Sequence, residues 1–371
     1  MAFDNSIVKF TSVKFDKLSA ESTLPAKFAR LLKSVPFKDK FEGKTIALKM
    51  HLGGDIGYTT IHPIFVSILI EELKINGADV FVTDLYRMEN KNFGVRNSKI
   101  RGYTEEILNA PIYPVAGVFD KYYYPKPVDF KSLKEIQIAG HVYDADGIVV
   151  FSHLKGHGVS SFGGAIKNLA MGCVTQKTRL NLHRLEGGII WDAGKCTHCE
   201  KCIKACRYKA NRFDKDGNYR TFFHNCTYCQ HCVEVCPGEA LVFTGKHYVD
   251  FQKGLAMAAD EILKTFESGS VFYINMLLDI TMQCDCWGFS TPQIVPDIGI
   301  VASDDIVSVE KASLDLIGNQ DPIPGSINQG RILRQGSHIF ERIWGKDPYI
   351  QIDIMEKQGL GNSSYKIEEI L

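Results

Sequence analysis

Two runs of cysteine carry the strongest chemical signal in this chain: CTHCEKCIKAC from Cys196 to Cys206, and CTYCQHCVEVC from Cys226 to Cys236. Both read C-x2-C-x2-C-x3-C, and the second begins 30 residues after the first. Three thiolates at this interval let a short loop wrap three corners of an iron–sulfur cube, and the fourth reaches a neighbouring cube. The pattern predicts two [4Fe–4S] clusters. Cys196, Cys199, Cys202 and Cys236 hold one; Cys226, Cys229, Cys232 and Cys206 hold the other. Structural zinc is the competing chemistry. It favours separated cysteine pairs, or pairs completed by histidine, and two tandem triplets with a trailing cysteine fit that poorly. Eight thiolates complete both clusters, so the nearby His198, His224 and His231 are expected at the surface or behind the ligands.

This spacing matches that of bacterial ferredoxins. The second run ends Cys236-Pro237 as theirs does, whereas the first ends Cys206-Arg207. Three of the eleven cysteines lie outside the runs: Cys173, Cys284 and Cys286. An odd number, without an apparent secretory leader in MAFDNSIVKF, argues against a disulfide scaffold and for a cytoplasmic setting. Cys173 reads as a buried thiol. Cys284 and Cys286, in TMQCDCWG, leave two readings open. With His51, His153 or His157 they suit a third metal site for zinc, iron or nickel. Otherwise they pack as small hydrophobes.

A second polar constellation lies upstream, in SHLKGHGVSSFGGAIKNLAMG from Ser152 to Gly172. Lys155 and His157 alternate with glycines there, and Lys167-Asn168 follow Gly163-Gly164. Glycine-rich backbone can bring N–H groups close to an anion, lysine adds charge, and histidine carries protons near neutral pH. A tight loop of solvated polar residues fits the composition equally well. HLGGDIG, from His51 to Gly57, is the other Gly-rich stretch. It does not meet the G-x-G-x-x-G dinucleotide fingerprint, and Asp84 lies 27 residues after Gly57 rather than about 20. Anion binding at the start of the following helix stays open.

Both stretches need strands to present them. TIALKM (45–50), DVFVTDL (79–85), GIVVF (147–151), VFYINML (271–277) and IGIVAS (298–303) read as buried strands. HPIFVSILIEELKING, DFQKGLAMAADEILKTF and DIVSVEKASLDLI show helical spacing, with Pro63 in a first turn and a cap near Thr60 or Ile61. Strand and helix alternate on both sides of the cysteines. The expected fold is therefore an α/β core with a mostly parallel sheet and helices on both faces, interrupted by a small ferredoxin-like α+β insertion. The parts are 1–185 (core), 186–246 (insertion) and 247–371 (core). Parallel α/β sheets bind ligands beyond the carboxyl ends of their strands, where both Gly-rich stretches fall.

LKGHGVSSFGGAIKNLAMG resembles the K-x-H … G-x-x-K-N-x-x-x-G signature of the family known as domain of unknown function 362. KMHLGG, the cysteine insertion, CDCWG and PDIGIVASDDIVSVEKASLDLI extend the likeness over about 45 to 320, toward the family's iron–sulfur branch. Asp304-Asp305 departs from the family's usual Asp-Pro. The resemblance implies an α/β core with a strand-end site at Lys155, His157, Lys167 and Asn168. It names no substrate.

Basic and acidic residues balance at 43 each, which excludes broad nucleic-acid or anionic-membrane binding. No apolar run reaches the ~18 residues of a membrane span. The favoured reading is a redox enzyme or subunit. Single electrons pass from the clusters to a site built from His51, His153, Lys155, His157, Lys167 and Asn168, with Gly163 and Gly164 bringing backbone close to a small anionic substrate. A ferredoxin, flavodoxin or flavoprotein is the expected redox partner. The alternative is a ferredoxin-type carrier whose core only docks a partner. A third reading makes the clusters structural staples.

Overall fold

Strand residues that are apolar on successive positions, rather than on alternate ones, must be covered on both faces, and the central strands here are of that kind. The computed structural model describes residues 6–54, 56–85, 98–223, 225–226, 230–245, 247–318, 320–327 and 333–371. Eight of its strands form one sheet: β1 (Ser6–Ser12), β2 (Thr45–Lys49), β3 (Asp79–Asp84), β4 (Ile112–Pro114), β5 (Gly147–His153), β6 (Val271–Leu277), β7 (Gly299–Ser303) and β8 (Tyr365–Glu369). Their order is β8-β1-β7-β6-β5-β2-β3-β4. Only β7 runs against its neighbours, antiparallel to both β1 and β6; every other pairing is parallel.

Alternate residues of these strands feed two separate cores. Ala47, Ile148 and Val150 pack on one face; Ile46, Leu48, Val149 and Phe151 pack on the other. Helices α1 (Leu24–Lys33) and α2 (Pro63–Ile75) cover the second face. Helices α3 (Ala165–Gly172), α4 (Tyr248–Leu263) and α5 (Ile306–Gly318) cover the first. Each aliphatic or aromatic side chain so buried contributes roughly 1.5–3 kcal/mol. The architecture is the α/β class expected, with helices on both faces.

The strands lie within two residues of the expected spans. The α2 cap is His62, whose Nδ1 accepts from Ile64 N–H at 3.3 Å, one position past the expected Thr60 or Ile61. The chain turns after α2 at Gly77, where φ is +86° and a side chain would be strained. From β2 the chain crosses through α2 to β3, and β4 follows outward. β5 then returns to the other side of β2. The sheet therefore switches direction between β2 and β5, and a crevice opens at the carboxyl ends of those two strands.

Between α3 and α4 the chain builds a small unit of its own. Ile189–Trp191 pairs antiparallel with Leu241–Phe243, and Asn211–Phe213 pairs with Tyr219–Thr221. Thr244 N–H donates to the Gly188 carbonyl at 2.8 Å, so the segment leaves and rejoins the core at one point. Its halves repeat. Short helices at Lys201–Lys204 and His231–Glu234 follow left-handed Glu200 and Gln230, and left-handed Lys209 and Glu239 recur at the same offset. Among the described residues no helix is long and apolar enough to cross a membrane.

Candidate functional site

A cavity of about 430 Å3 opens where the sheet switches direction. Its floor is an ion-pair network that begins on β2. Lys49 stands in an otherwise apolar strand and is almost fully buried, so its ammonium needs partners. It donates to Asp84 Oδ1 at 2.9 Å and to Asn168 Oδ1 at 2.8 Å. Asp84, the last residue of β3, accepts on Oδ2 from Leu52 N–H and meets His51 Nδ1, each at 2.9 Å. Burial opposes the Asp84 charge, but Lys49 and His51 outweigh it and hold the carboxyl well below its ordinary value. Burial likewise pulls His51 down; Asp84 overcomes this and raises it. His51 Nε2 is buried with no hydrogen-bond partner among the described residues. Histidine is thus aimed by a carboxylate, with its second nitrogen free at a cavity wall.

The residues after β5 split into two roles. His153 lines the cavity and binds the Leu278 carbonyl through Nε2 at 2.6 Å. Lys155 and His157 do not line it. Lys155 is fully buried and donates to Asp285 Oδ1 at 2.5 Å, and to Thr59 Oγ1 and O at 2.6 and 2.8 Å. Together with His153, whose Nδ1 lies 3.2 Å from Oδ2, it holds the Asp285 carboxyl below its ordinary value against the cost of burial. The Nδ1 of His157 accepts from Val159 and Ser160 N–H, both at 3.2 Å. These two residues brace the loop.

Helix α3 supplies the opposite wall. Asn168 donates to Ser152 Oγ at 3.0 Å while accepting from Lys49, and so ties α3 to β2 and β5. The start of α3, which the Gly-rich stretch offers to an anion, is already occupied. Glu310 of α5 is fully buried there and accepts from Ile166 N–H at 3.1 Å. A Cβ at Gly164 would lie 2.5 and 2.6 Å from the two Glu310 carboxylate oxygens, so glycine is required for this approach. Gly163 makes room for Lys167, whose Cδ would lie 3.0 Å from a Cβ there. Burial pushes the Glu310 carboxyl up to about 8.

Lys167 reaches across the cavity to the loop after β6. Its Nζ lies 3.7 Å from the sulfurs of both Cys284 and Cys286. Cys286 hydrogen-bonds Cys284, and this bond with the Lys167 ammonium draws the Cys284 thiol well below its ordinary value. The hydrogen bond to Cys284, followed by burial, raises Cys286. The negative pair in turn raises Lys167 despite its burial. Cys173 sits apart in the core, pushed up to about 12 by burial.

The loop of Cys284 and Cys286 also touches the cysteine-rich segment. Trp287 packs edge-on against Phe222, with ring centroids 5.1 Å apart, and Cys226 N–H donates to the Phe222 carbonyl at 3.1 Å. Lys346 adds a second tie, donating to the Phe223 carbonyl at 3.1 Å. Within that segment Cys196, Cys199, Cys202 and Cys236 line one small recess. Cys206 packs beside buried Cys226, and Cys202 beside Cys232. Cys229 and His224 lie outside the described residues. Ala210 and Ala240 N–H groups donate to the sulfurs of Cys206 and Cys236, at 3.2 and 3.3 Å, at equivalent places in the repeat. Hydrogen bonds to ligand sulfurs are a feature of iron–sulfur sites, so the donor set fits iron–sulfur clusters. Among the described residues no three His, Cys, Asp or Glu side chains gather as for a single ion. Ligands of a cube stand farther apart than that, because each thiolate takes a different iron.

Sequence residues 46–315 match the family described as domain of unknown function (DUF362). The chain belongs to this family. No curated protein matches it. Several solved structures are similar, two of which follow. One is the lactate racemase apoprotein from Thermoanaerobacterium thermosaccharolyticum, at 14% identity and a TM-score of 0.37, covering 74% of this chain and 51% of that one. The other is a protein from Thermotoga maritima, at 10% identity and a TM-score of 0.37, covering 71% and 52%. The chain spans about half the length of these structures.

Lys49, Asp84 and Ser152 belong to the cavity although the site expected from sequence did not include them. For the first two a signal existed: a lysine and an aspartate closing apolar strands, where an unpaired charge would be costly. Glu310 carried a weaker signal, as a lone carboxylate on the apolar face of α5.

Proposed function

We propose that this DUF362 chain is an iron–sulfur oxidoreductase whose cysteine-rich segment delivers single electrons to the cavity at the ends of β2 and β5. The observation that carries this reading is the Trp287–Phe222 contact. It joins the loop of Cys226 to the cavity wall that bears Cys284 and Cys286. Cys196, Cys199, Cys202 and Cys236 would hold one [4Fe–4S] cluster, and Cys226, Cys229, Cys232 and Cys206 the second. Such clusters supply one-electron chemistry at potentials set by burial and by N–H donors to sulfur. The Ala210 and Ala240 N–H groups are donors of that kind.

The core contributes binding and proton handling. His51, raised by Asp84, presents Nε2 to the cavity as a donor for an anionic oxygen of a small substrate. Lys49 and Lys167 each have a partner already, so they set the local charge rather than clamp a free anion. A docking-only core would need no such cavity, which favours catalysis over a simple carrier. Ferredoxin, flavodoxin or a flavoprotein suits the role of redox partner.

The protein purified without oxygen should hold about eight iron and eight sulfide per chain. Its dithionite-reduced absorbance should then recover faster with a cavity ligand present. Stoichiometric zinc without sulfide would sink the proposal.

A further inference from the structure

The Cys284–Cys286 pair offers more than a wall to the cavity. Both sulfurs sit 3.7 Å from one ammonium, on cysteines only two apart in the chain. The intervening Asp285 is buried and held by Lys155 and Thr59, which anchors the residue between the two cysteines. Lys167 already fills the cationic position between them, which a metal ion would have to take. We propose that Cys284 and Cys286 close a reversible intramolecular disulfide, a two-electron couple in the cavity wall with Lys167 as its positioning residue.

The half-reaction balances with one proton. The S–S bond breaks and takes up two electrons and one H+; Cys284 becomes the thiolate and Cys286 the thiol. The Lys167 ammonium faces the charge that forms. Two one-electron donors of the iron–sulfur class provide the reductant, and this part alone rests on the reading above. A small molecule in the cavity that accepts an electron pair returns the couple to the disulfide. The pair thereby matches a one-electron supply to two-electron chemistry. Stabilising the thiolate stabilises the reduced form, so Lys167 makes the disulfide more oxidising.

The test is thiol trapping on the full-length, anaerobically purified protein. Samples are equilibrated in glutathione buffers of graded ratio, alkylated, digested and weighed. The expected result is a 284–286 peptide that passes from internally disulfide-bonded to doubly alkylated. In Lys167→Met the equilibrium constant should move about tenfold toward the disulfide, and in Lys167→Arg by less. Two free thiols at every ratio would overturn the proposal. So would a metal ion, in addition to cluster iron, that Cys284→Ser and Cys286→Ser both release. The wild-type digest alone settles whether the disulfide forms, so the test stands even where a variant fails to fold. Iron and sulfide are counted in the same samples. A disulfide that forms in protein lacking both supports the couple and refutes only the electron supply.

Discussion

Replacing Glu310 by glutamine isolates the energetic cost of closing α3 with a carboxylate. Glu310 is fully buried and its carboxyl is pushed up to about 8 by that burial, from an ordinary 4.5. Between these values the folded protein keeps a proton that the unfolded chain has released. Stability therefore falls as pH rises through the window: the cost is absent below pH 4.5 and complete above about 8. A shift of about 3.5 units corresponds to at most about 5 kcal/mol, and local relaxation lowers this to about 3 kcal/mol. Two buried oxygens would be satisfied by that proton. Glu310 Oε2 and Asn275 Oδ1 are both buried without a partner among the described residues. A protonated Glu310 joins them, and the glutamine amide would do the same at every pH while its oxygen keeps the Ile166 N–H. The variant should match wild type at pH 5 and exceed it by about 3 kcal/mol at pH 9. Urea unfolding of both proteins at both pH values measures this, because other titrating groups cancel in the difference. A wild-type-minus-variant difference that does not change with pH would refute the reasoning.

Gly164→Ala forces a methyl group against the Glu310 carboxylate and should cost about 1–3 kcal/mol; in a Glu310→Ala background the same change should cost little, as a double-mutant cycle of unfolding energies will show. Asp84→Asn leaves the buried Lys49 ammonium without an anionic partner and should cost about 3–5 kcal/mol in unfolding experiments at pH 6–8. The wild-type contribution is present above pH 3.8, the ordinary carboxyl value, and is lost only in strong acid, because the folded carboxyl is lower still. Cys199→Ser should lower iron from about eight to about four per chain, read by iron and sulfide analysis. Phe222→Ala should keep full iron while slowing substrate-dependent reoxidation of the reduced protein, measured by stopped-flow absorbance.

The central strands were legible because five apolar runs alternate with helical spacing, and β2, β3, β5, β6 and β7 lie within two residues of those runs. β1 and β8 were not, since SIVKFTS, second from the edge, and YKIEE, on the edge, are partly or largely exposed and carry polar residues that blur the pattern. At the site, the sequence singled out polar residues but could not say where they point. Lys155 and Lys167 look alike in the Gly-rich stretch. One is consumed by Asp285 inside the protein and the other lines the cavity. Their difference arises from a loop 117–130 residues further along the chain, which supplies Asp285 to one and two sulfurs to the other. Glu310 filled the helix start for a similar reason: its competitor for the anion's place comes from a distant helix. Local composition can propose a donor, but long-range packing decides who accepts.

The pairing of β1 sets a timetable for making the protein. Its partners begin at Gly299, about 290 residues later, and at Tyr365. At roughly 5–20 residues per second, a growing chain leaves both edges of β1 without partners for about 15–60 s. Until then its backbone donors and acceptors are open to any passing strand. The sheet closes only once the cysteine-rich segment has emerged, so loading of the proposed clusters and completion of the core would fall in the same interval of synthesis. A chain stalled before Gly299 would present an unsealed edge together with the eight cysteines of the two runs.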